Sequence, residues 1–352
     1  MCARDRQRSC ARREAGERGR IGAMRFSPAI FLVVAATLLG SGCARKEASA
    51  APAGLRKVAL QTDWFPQAEH GGFYQALAKG FYREAGLDVT LLPGGPGAGI
   101  NLKVAKGDAD FGMNRSDDLI LAASQGMPLL IVAAVQQHDS QVLLVHESSP
   151  VKTLEDLAGR TVTASLGMAW IPWLKQSRGI EFALRPQTYG LAGFLADPEA
   201  IQQGLVTNEP FVARERGVKV RTLAIGESGF DSYHALFCRR ELARAEPKVV
   251  RAFVAASIRG WRDYLDSDPA PAHALILERN AQMTPALLAY SRGELIARGL
   301  VRGNAADGEA IGQIELHRIA RQIEILRKLG ILQHPMAAES VATKEFLPQA
   351  RR

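Results

Sequence analysis

Lys57-Val58-Ala59-Leu60-Gln61-Thr62-Asp63-Trp64-Phe65-Pro66-Gln67-Ala68-Glu69-His70 is the stretch from which the fold is read. Its first four residues form a short β-rich run. A loop punctuated by Pro66 follows, and a helical pattern covers 70–79. The same unit recurs along the chain. Further β-rich runs fall at 87–92, 109–112, 129–135, 142–145, 161–164, 220–225 and 234–237. Helical patterns fall between them at 100–106, 117–124, 154–157 and 208–216. The runs carry few charges, as strands buried on both faces do. Strand–helix alternation with short glycine-bearing links predicts an α/β fold with mostly parallel sheets. After Cys238 the pattern changes to long amphipathic helices at 247–265, 271–280, 285–298 and 310–329. Pro247, Pro271 and Pro285 stand near helix starts, where a missing N–H costs nothing.

The chain has 352 residues, more than one hydrophobic core comfortably serves, which suggests two domains. With 47% apolar and 23% charged residues the composition is ordinary for a globular protein. The net charge of +8 is concentrated at the start, where residues 1–23 hold seven Arg against three acids. From Cys43 onward the balance is only +3, with no basic stripe interleaved with aromatics, so a nucleic-acid partner is not expected.

Residues 1–42 read as a leader followed by a signal peptide. Met24-Arg25 precedes an apolar run over 29–39, well short of the ~20 residues that span a bilayer. The run ends in Leu39-Gly40-Ser41-Gly42-Cys43, which resembles a bacterial lipobox with its apolar residue four rather than three places before the cysteine. Acylation of Cys43 would tether the protein to a membrane surface, with 43–54 as a linker. The alternative is a plain secretory signal with an incidental cysteine. Beyond Cys43 only Cys238 remains, so that part can form neither an internal disulfide nor a Cys-x-x-Cys metal site.

No phosphate-binding P-loop, His-Glu-x-x-His or Gly-x-Ser-x-Gly motif is present, and no cofactor or metal is expected. His138-Asp139-Ser140 are adjacent, but adjacency is not triad geometry. The informative residues lie in loops after strands, where open α/β sheets hold ligands. Trp64 offers a stacking face, Asp63 an acceptor and His70 a donor at a helix start, although a Trp here could equally pack on a helix. Gly95 lies in Pro93-Gly94-Gly95-Pro96-Gly97-Ala98-Gly99, which is either a plain turn or a backbone N–H cradle for an anion. Asn114 and Ser116 follow the strand at 109–112, where Ser116 or Asp117 caps the next helix in any case. Ser165 and Trp170 share a loop offering N–H donors and an aromatic. Tyr189 ends a short strand. Asn208 and Glu209 open a helix that Glu209 either caps or leaves to accept from a ligand. Together these loops fit one small planar polar ligand clamped between two domains.

Asp63-Trp64-Phe65-Pro66, His70, Tyr74, Lys79-Gly80-Phe81-Tyr82, Gly86-Leu87-Asp88-Val89, Gly107-Asp108-Ala109-Asp110-Phe111-Gly112 and Thr207-Asn208-Glu209-Pro210-Phe211 stand in a particular order and spacing. The pattern resembles periplasmic substrate-binding proteins of the thiamine-pyrimidine-precursor type, relatives of the alkanesulfonate and nitrate binders of ABC importers. The resemblance covers about residues 56–300. It implies the type II periplasmic-binding-protein fold, with two α/β lobes joined by two hinge crossovers near 142–146 and 234–238. Lobe 1 would comprise 55–144 and 235–352, and lobe 2 would comprise 145–234. It adds Tyr74 to the expected ligand contacts. It also implies a monomeric, exported protein that delivers a small heteroaromatic solute to an ABC permease. An anion such as an alkanesulfonate would instead use N–H groups at 94–97 and 165–167. A synthase branch of the same superfamily builds the thiamine pyrimidine. This sequence has Asn114 where that branch carries its lysine and Asp118 where it carries its donor histidine, and it lacks the cysteine-rich run. Those departures favour binding over synthesis.

Overall fold

The computed structural model describes residues 54–348. The leader, the signal peptide, the lipobox cysteine Cys43 and the linker up to residue 53 lie outside the described residues.

Ten strands form two five-stranded sheets. The first contains β1 (Arg56–Gln61), β2 (Leu87–Leu92), β3 (Phe111–Arg115), β4 (Leu129–Gln136) and β10 (His234–Arg239), in the order β2-β1-β3-β10-β4. The second contains β5 (Gln141–His146), β6 (Thr161–Ala164), β7 (Ala183–Pro186), β8 (Ile201–Leu205) and β9 (Val220–Ala224), in the order β7-β6-β8-β5-β9. Neither sheet is all parallel, which corrects part of the expectation. β10 runs antiparallel to both its neighbours, and so does β5. In each sheet the antiparallel member is the strand entered from the other sheet, so it must run away from the junction toward which its neighbours run. His234, which starts β10, is therefore paired with Arg115 and Gln136 at the ends of β3 and β4. The C-terminal ends of the parallel strands in both sheets meet at this junction, which is where an α/β sheet presents its ligand loops.

The crossovers lie a few residues upstream of the expected positions. Residues 142–146 belong wholly to the second sheet and 234–238 wholly to the first. The chain passes between sheets at 137–140 and again at 225–233. Both crossings are polar, and their groups bind each other. His138 Nδ1 lies 2.6 Å from Asp231 and its Nε2 2.9 Å from Glu309, while the Asp139 N–H donates to Asp231 at 2.9 Å. Arg318 bridges Asp231 and Glu309. This ion cluster explains His138-Asp139-Ser140, which join the two crossings and do not form a triad.

The helices are α1 (Gly71–Ala78), α2 (Phe81–Glu84), α3 (Ile100–Lys106), α4 (Ser116–Ser124), α5 (Trp170–Pro172), α6 (Ala192–Ala196), α7 (Glu209–Glu215), α8 (Arg240–Ala245), α9 (Pro247–Asp266), α10 (Ala270–Arg279), α11 (Pro285–Ala297) and α12 (Leu316–Lys328). Eight of the twelve α-helices among the described residues fall on the expected patterns; α2, α5, α6 and α8 were not expected, and the pattern at 154–157 forms only a 3-10 turn, Glu155–Leu157. α12 starts six residues later than its pattern suggests, because Gly312 bridges to Ala134 of β4 in extended form. Glycines set how closely α1 meets α9. A Cβ at Gly260 would stand 2.2 Å from the Gly72 carbonyl oxygen, and one at Gly72 would strike the Trp261 ring. Below them Phe253 stacks between Tyr82 and Phe111, with ring centroids 5.2 and 4.1 Å away. Alternate residues of β5 feed two cores. Val142 and Leu144 join the cluster of α1, α2 and α9, whereas Leu143 and Val145 join that of α4, α5 and α12. Burial on both faces is why this strand reads as a continuous apolar run. Among the described residues no helix is long and apolar enough to cross a membrane.

Candidate functional site

The loop after β1 is held in place by its own backbone. The carbonyl of Trp64 accepts from the Gly94 N–H at 3.0 Å and the Thr62 hydroxyl at 2.9 Å. Gly94 has to be glycine, since a Cβ there would lie 2.3 Å from the Thr62 carbonyl oxygen. Its neighbour Gly95, at φ +144°, faces the Phe65 ring. The glycine-rich loop thus props the Trp64 loop, and the Gly94 N–H is not free for an anion.

Trp64, from the first sheet, meets Tyr189, from the loop after β7 in the second. Their ring centroids are 5.4 Å apart at 49°. Tyr189 is 54% exposed, and at φ +58° it is the one non-glycine among the described residues in the left-handed region. Such a conformation persists only where surrounding structure enforces it and is characteristic of ligand clamps. The Tyr189 hydroxyl lies 3.5 Å from Ser165 Oγ. Leu166, next to Ser165, is 62% exposed. Apolar groups from both sheets therefore ring the mouth of the junction.

Behind the rings lies a buried polar floor. Asp63 accepts from His70 Nε2 at 2.8 Å and lies 3.2 Å from His234 Nε2. Burial opposes its charge, but bonds from His234 and His70 outweigh burial and hold the carboxyl far below the usual range. Burial works against His234 as a cation too, and the Asp63 carboxylate still raises its pKa. Arg115 is paired within the protein. Its Nε and Nη2 bind Asp117, and Nη1 reaches Met168 Sδ of the second sheet's loop at 3.0 Å. Asp139 accepts from the Gln141 N–H and side chain, each at 3.0 Å. Gln141 Oε1 accepts from Gln203, whose Oε1 accepts from the Ser165 N–H at 2.9 Å. On the other side the Thr207 hydroxyl donates across the junction to buried Glu69, whose pKa burial raises. Several fully buried polar atoms here have no partner in the protein: His70 Nδ1, Gln136 Nε2, Gln137 Oε1 and Ser140 Oγ. Gln137 faces the C-terminal segment, to which its amide donates. The other three belong to the floor or to the crossing beside it. Buried polar groups are nearly always satisfied, so these atoms call for a partner from outside the chain, water or ligand.

The structure brings Asp63, Trp64, His70, Ser165 and Tyr189 to the junction as expected, and it places the other predicted residues differently. Trp170 is fully buried and stacked on Phe182, because α5 packs it into the core beneath the loop. Tyr74 is buried on the α10 side of α1, with Arg279 over its ring. Ser116 is buried in a network with Gln322 and the backbone of Tyr233 that pins the second crossing. Asn114 bonds Asn101 of α3 and the Arg115 N–H. Glu209 folds back over Gly204 and accepts from the Leu205 N–H at 2.7 Å and from Asn208. Both residues close the loop between β8 and α7, and neither side chain caps the helix. Gln136, Gln141, Gln203 and His234 were missed. The signal for Gln136, Gln141 and His234 was their place at the ends of otherwise apolar strands; Gln203, in the middle of β8, gave none.

A profile for the family described as NMT1/THI5 like matches residues 67–272, and the chain belongs to that family. The riboflavin-binding protein RibY of Chloroflexus aurantiacus is 25% identical over 325 residues, covering 84% of this chain and 87% of that protein. The formylaminopyrimidine-binding protein of Halalkalibacterium halodurans is 32% identical over 134 residues, 38% of this chain and 40% of the relative. In three dimensions the chain resembles the alkanesulfonate-binding protein SsuA from Xanthomonas axonopodis pv. citri bound to MOPS. The TM-score is 0.59 at 16% identity, over 83% of this chain and 100% of the other. The fold is the two-lobed α/β fold of periplasmic binding proteins.

Proposed function

We propose that this chain is an extracytoplasmic solute-binding protein that captures a planar nitrogen heterocycle between its two lobes and presents it to the permease of an ABC importer. The observation that carries the reading is the pair Trp64 and Tyr189. They come from opposite sheets and meet over a floor with unpartnered polar atoms. The rings touch each other here, so a flat ring that stacks on both would enter as the lobes part, and its edge groups would reach that floor. Ligand contact with both lobes is what would make closure ligand-dependent. The names of the riboflavin-binding and formylaminopyrimidine-binding relatives support this ligand class.

The anion alternative is less well supported. Of the N–H groups at 94–97 and 165–167 expected to hold an anion, those of Gly94 and Ser165 donate within the protein, and Arg115 is already paired with Asp117. Synthase chemistry is not part of this reading, because Asn114 and Asp118 stand at the expected lysine and histidine positions. We place the mature protein outside the cytoplasm as a monomer, tethered through acylated Cys43, with lobes meeting at the crossings 137–140 and 225–233.

Native mass spectrometry of the purified mature protein, followed by titration calorimetry with an aminopyrimidine, riboflavin and an alkanesulfonate, tests the reading. Retention or binding of a flat heterocycle is expected. Binding of the sulfonate alone would replace this reading with the anion one.

A further inference from the structure

Six carboxylates gather where the lobes meet: Asp63, Glu69, Asp117, Asp118, Asp139 and Glu209. Among the described residues the cationic side chains there are already paired with carboxylates. Arg115 is the buried cation of the group. It pairs with Asp117, which the Ser232 hydroxyl also bonds, and it makes a third contact to Met168. His70 and His234 share the single carboxylate of Asp63. Asp118 and Asp139 have no cation of their own. Burial pushes Asp118 up to about 6, with the charge of Asp117 beside it adding to the effect, and burial likewise raises Asp139. Glu69 and Glu209 repel each other at the opposite rim. Beside these carboxylates, polar atoms of His70, Gln136 and Ser140 are buried and have no partner in the protein.

We infer that the cleft selects the free, uncharged form of its heterocyclic ligand and rejects the phosphomonoester of the same molecule, by charge and not by size. The inference rests on the solute-binding reading above and adds to it the ionic state of the ligand. A phosphate carries ≈ −1.5 to −2 charge near neutral pH. Like-charge juxtaposition in a closed interface is strongly unfavourable, and burial removes the water and salt that would screen it. The consequence for supply is chemical. Any phosphorylated source of the ligand must first be hydrolysed, with water taking the phosphoryl group as inorganic phosphate and the ester oxygen leaving as the alcohol.

Titration calorimetry on the mature protein tests this with two matched sets: riboflavin with its 5′-phosphate and 5′-acetate, and 4-amino-5-hydroxymethyl-2-methylpyrimidine with its phosphate and acetate. For whichever parent alcohol binds, the phosphate is expected to bind at least about a hundredfold more weakly, while the neutral acetate stays within about tenfold. Asp118→Asn and Asp139→Asn should each narrow the alcohol-to-phosphate ratio several-fold. Equal binding of alcohol and phosphate would overturn the inference and leave the solute-binding reading standing. Loss of the acetate together with the phosphate would show exclusion by size and overturn it as well. If the protein neither binds a parent alcohol nor retains any flat heterocycle in native mass spectrometry, the heterocycle reading fails, and this inference fails with it.

Discussion

The two sheets have the same design and opposite legibility. Each has five strands, with its antiparallel member fourth in order, entered from the other lobe. In the first sheet the strands read directly from the sequence. β2 and β4 are apolar runs, and β4 is buried along its whole length. In the second, β7 is Ala-Leu-Arg-Pro and largely exposed, and β8 is Ile-Gln-Gln-Gly-Leu. Neither was expected from the sequence. β8 is hidden because it works for the site. Gln203 links Gln141 to the Ser165 N–H, and Gly204 leaves room for Glu209. A strand that supplies polar groups to a cleft loses the apolar period by which strands are recognised.

The contrast predicts that the first lobe fails by losing stability and the second by losing function. The largest effect is expected for Phe253→Ala, which removes the middle ring of the Tyr82–Phe253–Phe111 stack. A loss of about 3–5 kcal/mol in urea unfolding is expected. A loss under about 1 kcal/mol would mean that the first core is not the main source of stability. Gln203→Leu should act differently. It leaves the Ser165 N–H and Gln141 unpaired, for about 1–3 kcal/mol, and removes ligand binding while the chain still folds. Full binding by Gln203→Leu would detach β8 from the site.

Much of the fold was legible. The edges of α3, β2 and β6 match the pattern to the residue. The crossovers were displaced because the resemblance put them on the apolar runs 142–145 and 234–237, which are full members of one sheet each. The site was half legible. Trp64, Asp63 and His70 follow a strand directly and are placed by it. Trp170 and Ser116 also follow strands, but the chain turns them inward, and sequence spacing does not record which way a loop residue faces. The orphaned atoms of Gln136 and Ser140 emerge only when the two crossings are brought together.

Two smaller predictions follow from the buried charges. Asp118 has a folded value of about 6 against 3.8 for the free group, so the native state binds the extra proton. Its favourable contribution is present below about pH 4 and is lost as pH rises through 6. Asp118→Asn should therefore raise the melting temperature by about 2–4 °C at pH 7 and leave it unchanged at pH 4. An equal gain at both pH values would show that charge is not the cause. His138 is raised chiefly by its bond to Asp231. Its contribution is present below the free value of 6.5 and lost as pH rises through the folded one. His138→Gln should thus destabilise more at pH 6 than at pH 9. The difference should stay under about 1 kcal/mol, because the ring is partly exposed. A pH-independent effect would show that the imidazole joins the crossings without its charge.

The central claim is that one flat ligand sits between an aromatic of each lobe, and a double-mutant cycle on Trp64 and Tyr189 tests it most directly. Binding of riboflavin and of formylaminopyrimidine would be measured by titration calorimetry for the wild type, Trp64→Ala, Tyr189→Ala and the double variant. For the ligand that binds, each single substitution should weaken affinity about tenfold to a hundredfold, the range of about 1–3 kcal/mol per stacking face. The double variant should deviate from additivity, because both rings hold one molecule. Unchanged affinity in Trp64→Ala and Tyr189→Ala would contradict the sandwich and move the ligand elsewhere in the cleft.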